Sequence, residues 1–131
     1  MIVLDCSYTL AMVMPDEMRP AGMRKAVAGR LFVPSLWTYE VANALRNGMR
    51  RGRIDDAQAA AVCAHLESLS IEVIASADAG VRQRLVAAQT HELTAYDAAY
   101  VELALQQRSA LATLDADLAR VAHRAGIELI N

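Results

Sequence analysis

What most limits how this chain can fold is a repeated alternation of short apolar runs with stretches of helical periodicity. The runs are "MIVLD", "RLFVPS", "IEVIA", "ALATLD" and "IELI", each short and bounded by turn or charged residues, which predicts strands. Between them the spacing predicts helices over 7–14 and 18–28, and then over "LWTYEVANALRNGMRRG", "IDDAQAAAVCAHLESL", "DAGVRQRLVAAQTH", "AYDAAYVELALQQR" and "ADLARVAHRAG". Punctuation supports these boundaries. Pro34 stops the second strand, Ser35 stands where a helix N-cap is needed, Gly52 is a terminator, and Asp55 or Asp56 can cap the next helix. Strands alternating with helices imply an α/β fold: a mostly parallel sheet of four to five strands with helices on both faces.

At 131 residues the chain fits one compact domain, 1–131, able to bury a core without disulfides or a structural metal. It holds no internal repeat or low-complexity tract. Apolar stretches are broken by charge before they reach the length of a membrane span, and "MIVLDCSYTL" lacks a basic leader, so a soluble cytoplasmic protein is expected. Cys6 and Cys63 share no metal-ligand spacing and are expected as buried thiols. A net charge of -2 argues against a protein that coats nucleic acid by bulk electrostatics, so a phosphate-bearing substrate would have to be met locally. His65, His91 and His123 are scattered among helices, which indicates neither zinc binding nor general-base work.

The acids carry the chemistry. In a parallel sheet ligands gather beyond the carboxyl ends of the strands. Asp5 closes the first strand, Asp115 closes "ALATLD", Asp97 lies in the first turn of the helix before that strand, and Glu40 lies early in the helix after "LFVP". Each has an ordinary explanation by itself: Asp5 as an N-cap, Glu40 with Asn43 and Asn47 as a solvated stripe, Asp97 in a capping box with Thr94, Asp115 as a complement to the last helix's dipole. Four such coincidences on one sheet edge are less probable than one shared site. Converging carboxylates need a positive partner. Oxygen ligands without histidine or cysteine suit Mg²⁺ or Mn²⁺, and Ser7 and Thr113 add hydroxyls beside Asp5 and Asp115. Acid-held Mg²⁺ commonly serves phosphoryl transfer, so a phosphodiester substrate follows.

The segments "IVLDCSYTLAMV", "VPSLWTYEVANALRNGMRRGRID", "TAYDAAYVELALQQ" and "LATLDADLARVA", in this order, resemble the PIN domain, and within it the VapC-type toxin ribonucleases of toxin–antitoxin pairs. The resemblance implies a Mg²⁺- or Mn²⁺-dependent endoribonuclease with Asp5, Glu40, Asp97 and Asp115 as catalytic acids and metal ligands. It implies supporting roles for Ser7, Asn43, Thr113 and Asp117, with Asp115 preferred over Asp117 as the nearer to the metal because a strand end fixes it better. An RNA substrate, a cognate antitoxin protein and a homodimer are implied as partners, and no membrane. Cleavage would leave a 5′-phosphate and a 3′-hydroxyl.

Other readings were weighed. A haloacid-dehalogenase-like phosphatase wants an aspartate where Ser7 stands, and a receiver domain wants an acidic pair near the first strand and a late lysine, neither of which is present. A catalytically silent α/β interaction module is opposed by the four acids alone. Trp37, Tyr39, Tyr96 and Tyr100 are expected to pack around the site's rim and core. Arg46, Arg50, Arg51 and Arg53 read as a solvated helix end. Met12, Met14, Met18 and Met23 suggest an adaptable surface for a partner's helix.

Overall fold

The computed structural model describes residues 1–75 and 80–131. Five strands form one sheet: β1 (Ile2–Leu4), β2 (Leu31–Pro34), β3 (Glu72–Ile74), β4 (Ala110–Ala112) and β5 (Leu129–Ile130). Seven helices accompany them among the described residues: α1 (Cys6–Val13), α2 (Met23–Ala28), α3 (Leu36–Arg50), α4 (Asp56–Ser68), α5 (Val81–His91), α6 (Ala95–Gln107) and α7 (Ala116–Arg124). The strand order is β3-β2-β1-β4-β5 and every neighbouring pair is parallel. The predicted α/β class and the parallel sheet are therefore borne out.

Strand β1 is central, with Val3 opposite Phe32 of β2 on one side and Leu111 of β4 on the other. The chain winds outward through β2 and β3, then crosses to the far side of β1 for β4 and β5. The order thus reverses between β1 and β4, and such a reversal opens a crevice at the strands' carboxyl ends. Every residue of β1, β2 and β4 is buried. Since successive strand side chains point to opposite faces, helices must cover both. Helix α6 lies against β1, β2 and β4 and touches α5 and α7, while α1, α3 and α4 pack with one another. Edge strand β3 is exposed at Glu72 and Val73.

Several boundaries differ from expectation for local reasons. Helix α2 starts at Met23, not 18, because Pro20 disfavours helical angles before it and has no N–H; the Met23 N–H bonds back to the Pro20 carbonyl at 3.1 Å. Ser35 does not cap α3. Its backbone is itself helical (φ -58°, ψ -30°), so its side chain is not laid across the free N–H groups. Gly52 does terminate α3: at φ +73° it lets its own N–H reach the Met49 carbonyl and that of Arg53 the Gly48 carbonyl, a Schellman closure. Asp55 caps α4 in a full capping box with Gln58. The helix expected over "DAGVRQRLVAAQTH" begins at Val81; residues 78–79 of that stretch lie outside the described residues.

Two expectations about side chains are corrected. Met12 and Met14 are core residues, 1% exposed, and Met23 packs against the core; Met18 alone of the four is exposed. Met12 in α1 and Met14 at its C-cap both turn inward, so the four make no shared exposed surface. Cys63 is exposed on α4, whereas Cys6 is half-buried. No helix among the described residues is long and apolar enough to cross a membrane.

Candidate active site

Asp5 stands at the crevice between β1 and β4, and the other acids are reached from it through neighbouring elements. Asp5 follows β1 directly, and its N–H donates to the Ala112 carbonyl at 3.1 Å, which ties the exit of β1 to the end of β4. It is the N-cap of α1, so the cap expected of it alone is real. Its carboxylate is 4% exposed, and Oδ1 accepts the Tyr8 N–H at 2.7 Å. The Ser7 hydroxyl stands 2.8 Å from Oδ1 and 2.9 Å from Oδ2, sharing one proton between them, and the Thr113 hydroxyl donates to Oδ2. In turn Ser7 Oγ accepts the Leu114 N–H at 3.1 Å, and Thr113 Oγ1 accepts the Asp115 N–H at 3.0 Å. The two hydroxyl residues thus stitch Asp5 to the segment leading into α7.

Burying a carboxylate disfavours its charge. It pushes the Asp5 pKa from 3.8 to about 6, even though the Thr113, Tyr8 and Ser7 donors pull the other way; the Asp115 charge adds to the rise. Asp115 is not a strand residue as expected. β4 ends at Ala112, and Asp115 is the N-cap of α7, its Oδ1 accepting the Leu118 N–H at 2.9 Å, because that cap satisfies a free helix donor. Asp117, exposed, pairs with Arg120 at 3.0 Å one turn on.

Asp97 is the third residue of α6 and half-buried. Its N–H donates to Thr94 Oγ1 at 3.1 Å, which is half of a capping box; the Asp97 carboxylate does not return the bond to Thr94. Burial raises its pKa, and the charges of Asp115 and Asp117 add to that against the opposing Thr94 contact. Glu40, half-buried in the second turn of α3, accepts a hydrogen bond from the Tyr100 hydroxyl at 2.5 Å. Burial raises its pKa too, with Tyr100 opposing and the Asp97 charge reinforcing. Glu40, Asp97, Asp115 and Asp5 are thereby linked in one chain of like-charge repulsion. Asn43 is exposed on α3, and no hydrogen bond ties it to the acids.

Three of these carboxylates sit at helix starts: Asp5 on α1, Asp97 on α6 and Asp115 on α7. The partial positive charge of helix N-termini lowers the cost of gathering them. Among the described residues, however, no three His, Cys, Asp or Glu side chains stand close enough to hold a metal ion between them. In chemistry the donor set fits a hard divalent cation, being carboxylate and hydroxyl oxygens. The nearest sulfur, Cys6, does not compete, since burial and the charges of Glu40 and Asp5 push its thiol up to about 12.

Two contacts escaped the sequence. The Trp37 indole donates to Thr9 Oγ1 at 2.9 Å, fixing α3 on α1, and Tyr100 reaches Glu40. Trp37 and Tyr100 are buried as expected, but Tyr39 and Tyr96 are 81% and 64% exposed. One signal was available for Tyr100: it stands three residues after Asp97, on the same helical face.

The family model of the PIN domain matches residues 2–124. The chain is 34% identical over 122 residues to Ribonuclease VapC3 of Pyrobaculum aerophilum, covering 90% of this chain and 92% of that protein. The crystal structure of PAE2754 from Pyrobaculum aerophilum has a TM-score of 0.71 at 29% identity, covering 98% of this chain and 82% of that one. The chain belongs to the PIN-domain family, as its motifs implied. Its likeness to a VapC protein sets it among the VapC-type members.

Proposed function

We propose that this chain is a Mg²⁺- or Mn²⁺-dependent endoribonuclease, the toxin of a toxin–antitoxin pair, whose single domain spans 1–131. The observation that carries the reading is a carboxylate, Asp5, buried at the sheet's crevice and held by Ser7, Tyr8 and Thr113, with the Asp115 charge acting on it, that of Asp115 on Asp97, and that of Asp97 on Glu40. Such mutual repulsion without a cation is a cost that binding one would relieve. The kinship with a ribonuclease of similar length supports RNA as the substrate.

Asp5, Glu40, Asp97 and Asp115 would hold the ion. Bound there, it supplies a Lewis acid that polarises a phosphodiester and eases deprotonation of the attacking water. Ser7 and Thr113 orient the Asp5 carboxylate. Asp115 is preferred over Asp117, whose carboxylate is engaged by Arg120. Asn43, exposed one turn beyond Glu40, would have a supporting role. Cleavage leaves a 5′-phosphate and a 3′-hydroxyl. A cognate antitoxin is the protein partner, the chain pairs as a homodimer, and it works in the cytoplasm.

Asp97→Asn tests the reading. Asparagine keeps the shape and the Thr94 contact to the backbone but loses the charge. RNA cleavage with Mn²⁺ is expected to fall by more than about a hundredfold, beyond the loss typical of residues that only support a ligand. The circular dichroism melt is expected to stay cooperative. Full activity in Asp97→Asn would leave Asp97 as part of a helix start and nothing more.

A further inference from the structure

Tyr100 is 1% exposed, lies in the middle of α6, and spends its hydroxyl on a carboxylate of another helix. A buried tyrosine hydroxyl needs a partner, yet any backbone carbonyl would satisfy it. Here the partner is Glu40 Oε1 at 2.5 Å, a charge-assisted bond between residues 60 apart in sequence. No other hydrogen bond to Glu40 is made among the described residues, so Oε2 stays unengaged.

We propose that Tyr100 is a positioning residue: by fixing Oε1 of Glu40 it aims Oε2 at the cation site, so that α6 supplies both the Asp97 carboxylate and the clamp that holds α3's acid opposite it. The inference rests on the reading of the four acids as a metal site. Geometry supports the division of labour. Glu40 is long and half-buried, with three rotatable bonds, and a ligand held by one oxygen loses less freedom on binding than one left to swing. Asp5 has three donors to hold it and Asp115 is fixed by its cap, whereas Glu40 depends on Tyr100 alone.

The experiment is Mn²⁺ binding by calorimetry to the full chain and to Tyr100→Phe, Asp5→Asn, Glu40→Gln and the Tyr100→Phe/Glu40→Gln double variant, with melting curves and RNA cleavage beside it. Tyr100→Phe is expected to weaken Mn²⁺ binding about tenfold, as outer partners of ligands do, and to lower kcat with KM for RNA unchanged. In the Glu40→Gln background the same change is expected to cost nothing further, since Tyr100 acts through Glu40. If Tyr100→Phe shifts only the melting temperature and binds Mn²⁺ as the wild type does, while Asp5→Asn loses the ion, Tyr100 is a core residue and the inference is overturned with the metal site intact. If the wild type and Asp5→Asn bind Mn²⁺ equally, or neither binds, the metal site itself fails and the inference with it.

Discussion

Asp5 shows how one side chain can be both a structural cap and a chemical liability. The folded state holds its proton more tightly than the unfolded chain, so the stability Asp5 contributes is fully present below pH 3.8 and is lost as pH rises through about 6. The whole shift corresponds to about 3 kcal/mol, of which roughly half should be recovered on going from pH 7.5 to pH 5 without metal. Glu40 and Asp97 act in the same direction. Thermal melts in chelator should therefore show a higher melting temperature at pH 5 than at 7.5, with the difference reduced in Asp5→Asn. Mn²⁺ at tenfold its dissociation constant should add about 1.4 kcal/mol at pH 7.5 in the wild type alone. A melt that is flat with pH would mean the Asp5 charge is not under strain. That the charges of Asp5, Asp115, Asp97 and Glu40 act on one another in turn was legible in the sequence, because strand ends and helix starts could be placed from periodicity. The Tyr100 bond was not, since nothing in a linear pattern says which side chains 60 residues apart will touch.

Between elements, the same reading succeeded wherever a turn residue has one physical use. Gly52 ended α3 as expected, since positive φ leaves few alternatives, and of the two aspartates offered as caps for α4 the structure uses Asp55, which Gln58 answers in a reciprocal box. It failed where a residue type is permissive. Serine before a helix suits a cap or the helix proper, and Ser35 took the second; "ALATLD" reads as strand to its end, yet the cap at Asp115 cuts it short. The contrast gives a paired prediction. Asp55→Ala should cost about 1 kcal/mol in a denaturant titration, whereas Ser35→Ala, which removes no cap, should fall within about 0.5 kcal/mol of the wild type. Equal losses would mean the capping box contributes nothing measurable.

At the scale of the whole molecule, the crossover from β3 past β1 to β4 is what brings Thr113 and Asp115 beside Asp5. β1 is paired on both sides only when β4 is in place, and the donor to Asp5 Oδ2 as well as its neighbour Asp115 lie in or beyond the β4 exit. A fragment ending at residue 109 should accordingly show no cooperative melt by circular dichroism and no Mn²⁺ uptake, since it leaves a central strand with an open edge. A cooperative fragment would locate the stable nucleus in β1, β2 and β3. The central placing of the first strand also bears on the order in which the protein is made. Synthesis delivers Asp5, Glu40 and Asp97 early, but the strand that seats Asp5 and the cap that brings Asp115 beside it come late. For a chain read as a ribonuclease, three of its four acids would thus leave the ribosome before the strand and the helix cap that complete the arrangement.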